Sequence, residues 1–234
     1  MLPVAILSGG LATRLRPLTD RLPKSLIPIA GRPFIFHQLE LLKTQGIDQV
    51  VLCVGHLGDQ IKSAVGDGSG FGLTVRYSSD GRELLGTGGA IKRALPLLGD
   101  RFFVLNGDSY LRCSYDRIQD AHEVCGYPAM MAVLRNDNRW DRSNVRFRDG
   151  KVLEYAKGTE RSDLSHIDFG LSVLTAAAAQ SGGSDFRDFS DICKALAAQG
   201  QLAGFEVDDR FYEIGSPQGI RDTEAYLLCR AAAV

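Results

Sequence analysis

Long apolar runs are missing from this chain. Charges or glycines interrupt every candidate before the roughly 18 residues that a membrane span requires, so no membrane association is expected. The opening Met1-Leu2-Pro3-Val4 has neither a basic n-region nor an apolar signal stretch, and no export is expected. Charge of one sign is not in excess either: 27 Lys plus Arg face 28 Asp plus Glu, a formal charge of -1. A nucleic-acid binder working through a basic face needs a surplus of cations, and this balance argues against that class. A small anionic ligand stays open, because it needs only local positive charge. Cysteine is sparse, with Cys53, Cys113, Cys125, Cys193 and Cys229 scattered, odd in number and without C-x-x-C spacing. That pattern favours reduced thiols in a cytoplasmic protein over a disulfide framework or zinc site. His37, His56, His122 and His166 are isolated and lack metal-ligand spacing.

What is present is an ordinary globular composition: 234 residues, 44% hydrophobic and 24% charged, enough for one sizeable core. The first half alternates buried-strand runs with helical patterns. Strands are predicted at Pro3 to Leu7, Gln49 to Val54, Leu73 to Tyr77 and Phe102 to Leu105. Helices are predicted at Pro33 to Gln45, Asp59 to Val65 and Gly88 to Leu98. This alternation implies βαβ units with right-handed crossovers. The second half changes character, with strands predicted at Ala129 to Leu134, Asn144 to Phe147, Val152 to Tyr155 and Ile167 to Leu174. Asp149-Gly150 marks a hairpin, and helices are predicted at Asp188 to Gln199 and Pro217 to Arg230. No repeat, low-complexity tract or long linker divides the chain. The expected fold is a single α/β domain built on a mixed sheet.

The densest chemical signal is Leu7 to Arg14, with Lys24 ten residues further on. A strand ending in Ser8-Gly9-Gly10 lets backbone approach a ligand closely, and successive N–H groups there can cradle phosphate oxygens. Arg14, Arg16 and Lys24 add fixed positive charge. No Gly-Lys-Ser/Thr follows, so this is not a Walker loop. No G-x-G-x-x-G occurs, which argues against a nicotinamide oxidoreductase. Asp108, in Asn106-Gly107-Asp108, follows a buried strand, where open α/β sheets bind their ligands. Magnesium prefers such carboxylates together with phosphates and water.

The run Leu7-Ser8-Gly9-Gly10-Leu11-Ala12-Thr13-Arg14-Leu15-Arg16-Pro17-Leu18-Thr19, with Pro23-Lys24 and Pro28-Ile29-Ala30-Gly31-Arg32-Pro33, resembles the signature of sugar-1-phosphate nucleotidylyltransferases. Leu85-Gly86-Thr87-Gly88-Gly89-Ala90, Leu105-Asn106-Gly107-Asp108 and Phe211-Tyr212-Glu213-Ile214-Gly215-Ser216-Pro217 continue the resemblance in order. Within the family, the chain is similar to the heptose- or mannose-1-phosphate guanylyltransferase branch. The resemblance implies a Rossmann-like fold, a mixed, mainly parallel sheet flanked by helices, and an enzyme that uses Mg2+, a nucleoside triphosphate (GTP expected) and a sugar 1-phosphate. It also implies a nucleotide-binding half at about 1–110 and a sugar-phosphate-binding half at about 111–234.

Carried over residue by residue, the resemblance makes Arg14 and Lys24 the catalytic cations. Leu7, Gly9, Gly10, Glu83 and Gly88 would meet the nucleotide, with Glu83 accepting from the guanine N1–H and amino group. Lys157, Asp168 and Gly170 would meet the sugar phosphate, and Asp108 and Glu213 would hold the metal. The chain departs from the pattern at Ala12, where glycine is common and where alanine calls for a negative φ. It departs again at Ala156, where a glutamate commonly precedes the lysine, and at Glu213, where aspartate is common. Two alternatives accompany this reading: a UTP- or CTP-dependent hexose or amino-sugar enzyme, and a non-catalytic sugar-nucleotide-binding regulator. Monomer and homodimer are both compatible with the sequence.

Overall fold

A computed structural model describes residues 1–159, 161, 163–181 and 187–231. The strands are β1 (Val4–Ser8), β2 (Pro28–Ile29), β3 (Arg32–Pro33), β4 (Gln49–Val54), β5 (Thr74–Ser79), β6 (Arg101–Asn106), β7 (Ser109–Tyr110), β8 (Ala129–Arg135), β9 (Val145–Arg148), β10 (Lys151–Tyr155), β11 (His166–Thr175), β12 (Leu202–Val207) and β13 (Tyr212–Glu213). The helices are α1 (Phe34–Thr44), α2 (Gly58–Val65), α3 (Gly86–Leu98), α4 (Tyr115–Cys125), α5 (Ala176–Gln180), α6 (Phe189–Ala198) and α7 (Pro217–Ala231). Nine strands form one sheet in the order β5-β4-β1-β6-β11-β8-β12-β10-β9. It is a mixed α/β domain, as expected, but its parallel character belongs to the first half. There β5, β4, β1 and β6 run parallel, whereas β11 runs antiparallel to both β6 and β8. In the second half, among the described residues, only β8 and β12 pair in parallel.

Both faces of the sheet are covered, which is why its strands read as continuous apolar runs. Val4 and Ile6 of β1 point to one face, with Ile35, Leu39 and Leu42 of α1, Ile61 of α2, and Tyr115 and Ile118 of α4. Ala5 points to the other, with Ile91, Ala94 and Leu98 of α3 and Ile192 and Leu196 of α6. Full burial of such aliphatic side chains contributes about 1.5–3 kcal/mol each.

Besides the two-residue strands β2, β3, β7 and β13, two longer elements escape sequence reading. In α4 only Tyr115, Ile118 and His122 are buried, a stripe too sparse to stand out from its charged neighbours. In β12 the interior Gly204 weakens the strand signal, yet a β-carbon there would fall 2.6 Å from the Phe147 ring, so the glycine permits close packing. Among the described residues, no helix is long and apolar enough to cross a membrane.

Candidate active site

β1, β4 and β6 end side by side, and the glycine-rich segment leaves β1 at this edge. His56 N–H donates to the Gly9 carbonyl at 3.2 Å, and a β-carbon on Gly9 would sit 3.0 Å from Gly55 N. Two backbones therefore meet where side chains would separate them. Gly10 faces open space. Ala12 does not have the negative φ its side chain would prefer: it sits at φ 48°, ψ 43°. Its carbonyl accepts from Leu15 N–H and the Thr19 hydroxyl, both at 3.0 Å, which holds the left-handed turn. The 3-10 turn Thr13–Leu15 then presents Arg14.

A two-lobed cavity opens over these strand ends. The first lobe, about 350 Å³, is lined by Gly9, Gly10, Lys24, Ser25, Cys53, Asp80, Leu84 and Thr87, among others. The second, about 400 Å³, is lined by Arg14, Trp140, Asp168, Gly170, Arg210 and Glu213, among others. Asn106, Asp108 and Lys157 line both lobes and mark their junction.

At that junction Lys24 Nζ donates to Asp108 Oδ2 at 2.6 Å. Burial pushes the Asp108 carboxyl up, but the Lys24 ammonium, with Lys157 farther off, outweighs it and leaves the group below the ordinary aspartate value. Ser8 Oγ and Ser25 Oγ are buried in the first lobe's wall without hydrogen-bond partners. Orphan donors beside a lysine suit a ligand's anionic oxygens. Cys53 lies in the same wall, but burial and then Asp80 push its thiol up to about 12, so it offers no thiolate.

β13 pairs antiparallel with β7, setting Glu213 opposite Ser109, and Ile214 N–H donates to the Asp108 carbonyl at 2.9 Å. The chain's late segment is thereby stitched to the Asn-Gly-Asp turn. Glu213 accepts from Gly215 N–H and, at 2.7 Å, from the Ser216 hydroxyl. Each carboxylate oxygen retains a lone pair beyond these bonds. Asp108 and Glu213 thus bring two carboxylates to one wall, and a β-carbon on Gly215 would lie 2.7 Å from Glu213 Oε2 and 3.2 Å from Asp108 Oδ2. Among the described residues, no group of three or more His, Cys, Asp or Glu could hold a metal. A pair of carboxylates fits magnesium, which takes one or two of them with phosphates and water.

In the second lobe, Asp168 Oδ2 accepts from the Tyr155 hydroxyl at 2.7 Å and Oδ1 from Gly170 N–H at 2.9 Å. Burial, reinforced by Asp168, holds the Tyr155 hydroxyl far above its ordinary pKa, so it remains a donor. Gly170 lies in the β11 irregularity at φ 93°, where a β-carbon would come 3.1 Å from Asn106 Nδ2. Lys157 sits in the turn after β10, where Thr159 N–H and hydroxyl both bond the Ala156 carbonyl. A ring of charges closes the neck of this loop. Arg161 bonds Glu154 and Asp163, each at 2.7 Å, and Arg146 bonds Asp163 at 2.7 Å and Glu154 at 3.2 Å.

Two of the predicted nucleotide residues are not brought to the cavity wall. Glu83 is exposed and outside it, and buried Gly88 spends its N–H on the Arg187 carbonyl at 2.7 Å. The acid of that loop which does line the wall is Asp80, 7% exposed, which accepts from Leu85 N–H at 3.3 Å. Burial raises the Asp80 pKa, against the smaller opposing effects of that bond and of Arg93.

A model of the family described as Nucleotidyl transferase matches residues 4–140. The chain belongs to this family. Over 104 residues the transferase is 46% identical to the N-acetylmuramate alpha-1-phosphate uridylyltransferase of Neisseria meningitidis serogroup B, a match spanning 44% of this chain and 45% of that protein. Over 219 residues it is 31% identical to the D-glycero-alpha-D-manno-heptose 1-phosphate guanylyltransferase of Campylobacter jejuni, covering 91% and 94% of the two chains. Its fold is similar to that of HddC from Yersinia pseudotuberculosis in complex with GMP-PN, with a TM-score of 0.81, 25% identity, and 97% and 100% of the chains covered.

Three residues of the transferase's site escape the sequence reading. Asp80 differs from Glu83 only in which way a short loop turns. Ser25 looks like any serine after Pro23-Lys24. Gln38 is buried in α1, and its Nε2 donates to the carbonyls of Asn106 at 3.1 Å and Ser109 at 2.7 Å, fixing the turn that bears Asp108. A polar residue inside the apolar stripe of α1 was the available clue.

Proposed function

We propose that the protein transfers a nucleotidyl group from a nucleoside triphosphate to a sugar 1-phosphate, giving a nucleoside-diphosphate sugar and pyrophosphate. The observation carrying this reading is the Lys24–Asp108 pair at the junction of a lobe lined by orphan hydroxyls and a lobe lined by aromatic and polar groups. A sugar-phosphate oxygen would attack the α-phosphorus, forming one P–O bond as the bond to pyrophosphate breaks in line. No side-chain nucleophile is required, and positioning and charge neutralisation carry such a transfer. Lys24 offsets negative charge growing at the α-phosphate, and Arg14 that on the departing pyrophosphate. Gly9 and Gly10 admit the phosphates against bare backbone. Lys157 orients the incoming phosphate, while Asp168 and the Gly170 backbone meet the sugar hydroxyls. Magnesium held by Asp108 and Glu213, with phosphate and water completing its shell, would neutralise triphosphate charge.

For the base, GTP with a manno-configured heptose or mannose 1-phosphate is the leading pair. Asp80, in place of Glu83, is the acceptor for the guanine N1–H and amino group. The full-length similarity to heptose-1-phosphate guanylyltransferases supports this choice. A second reading, uridylyl transfer, is favoured by the higher identity of part of the chain to a uridylyltransferase. Pyrophosphate release from a matrix of four triphosphates and a panel of sugar 1-phosphates, with magnesium, decides between them. Turnover with GTP supports the first, turnover with UTP the second, and nucleotide binding without turnover on any pair overturns both.

A further inference from the structure

α6 begins at Phe189, and Asp188 occupies its N-cap position in extended backbone, φ -101° and ψ 142°. An aspartate there ordinarily turns its carboxylate back onto the first N–H groups of the helix. Asp188 makes no such bond, and Phe189 N–H donates instead to Thr87 Oγ1 at 2.8 Å. Thr87 lies in the first turn of α3, so the start of α6 is capped from the other half of the chain. Two further features fix the approach: Gly88 N–H donates to the Arg187 carbonyl, and Gly86, at φ 74°, lacks the β-carbon that would fall 2.5 Å from that oxygen.

Relieved of capping, the Asp188 carboxylate lines the first lobe beside Gly86, Thr87 and Ala90. Among the described residues its one hydrogen bond is a long one, from the Thr87 hydroxyl at 3.5 Å, and no cation pairs with it. The N-terminal dipole of α6 favours its charge. A carboxylate without a cation repels phosphate oxygens and therefore faces the neutral, donor-bearing part of a nucleotide.

We propose that Asp188 is a specificity-determining residue that accepts a hydrogen bond from the nucleoside, either from a ribose hydroxyl or from a base amino group. This inference rests on the nucleotidyl-transfer reading and adds an acceptor from the second half of the chain. Because Thr87 does the capping, Asp188→Ala leaves the start of α6 capped, and its melting temperature should fall only slightly, through the loss of one favourable helix-end charge.

The test compares wild type and Asp188→Ala with GTP, ITP, which lacks the amino group, and the 2′- and 3′-deoxy analogues, each with the sugar phosphate that wild type turns over. Equilibrium binding of each nucleotide is measured in parallel. Losing a charge-assisted bond at this partly solvated position lowers kcat/KM for GTP about tenfold, mainly through KM. A loss that vanishes with ITP assigns the amino group, and one that vanishes with a deoxy analogue assigns that hydroxyl. Equal kcat/KM and affinity for the two proteins on all four nucleotides, or a uniform loss across them, overturns the proposal. Wild-type inactivity with all four of these purine nucleotides would count against GTP as the donor, and the binding series would still judge Asp188.

Discussion

Lys24 and Asp108, 84 residues apart in sequence, meet Nζ to Oδ2 at 2.6 Å where the two lobes of the cavity join. Each is about three-quarters shielded, with side-chain exposures of 24% and 23%. The folded Asp108 carboxyl lies below its unfolded value, so the pair's stabilisation is complete above pH 3.8 and fades as pH falls through the folded value. Lys24→Met should lower the melting temperature at neutral pH and flatten the acid limb, measured as the difference from wild type between pH 2 and pH 6. In turnover it should reduce kcat far more than nucleotide affinity, the pattern of a contact strengthened in the transition state. A fall in affinity alone would contradict that role. Asp108→Asn should abolish most magnesium-dependent turnover while leaving the fold cooperative by urea titration.

Asp80 links stability to recognition with the opposite sign. Its folded pKa is raised by burial, so ionising it disfavours the folded state, and that penalty sets in as pH rises above 3.8. Asp80→Asn should raise the melting temperature at pH 7 and leave it unchanged under acid conditions. The same substitution should shrink the GTP/UTP preference, whereas Glu83→Gln should leave the preference as it is. Steady-state competition between the two triphosphates checks both statements, and the reverse ranking would restore Glu83 as the base acceptor.

Ala12 holds a left-handed conformation that disfavours a side chain by about 1 kcal/mol. Ala12→Gly removes that strain but loosens the unfolded chain, so the expected gain is a few tenths of a kcal/mol to about 1 kcal/mol by urea denaturation. A loss of stability would show that the alanine methyl group packs usefully in the turn.

The charge ring of Arg146, Glu154, Arg161 and Asp163 is exposed, with side chains between 36% and 50% accessible, so little global stability rides on it. Its effect should appear in the loop it closes. Arg161→Ala should raise KM for the sugar phosphate severalfold with kcat nearly constant, and Arg161→Lys should restore part of the loss. Salt should weaken wild type toward the variant, since exposed pairs are screened. An unchanged KM would show that the turn at Ala156 to Thr159 holds Lys157 unaided.

Much of this protein is written in its local sequence. The apolar runs of β1, β4 and β6, the stripes of α1 and α3, and the glycines after β1 specify their structures through neighbours a few residues away, and a strand-end aspartate at 108 is legible for the same reason. Packing between distant segments decided the rest. The paired β7 and β13 brought Glu213 beside Asp108, and the abutting starts of α3 and α6 took Asp188 off its helix and gave it to the cavity. The loop after β5 turned Asp80 inward and Glu83 outward. Periodicity says which face of an element is buried. Which of two nearby carboxylates tolerates burial, and what it then faces, depends on groups from other strand ends that only the folded chain assembles.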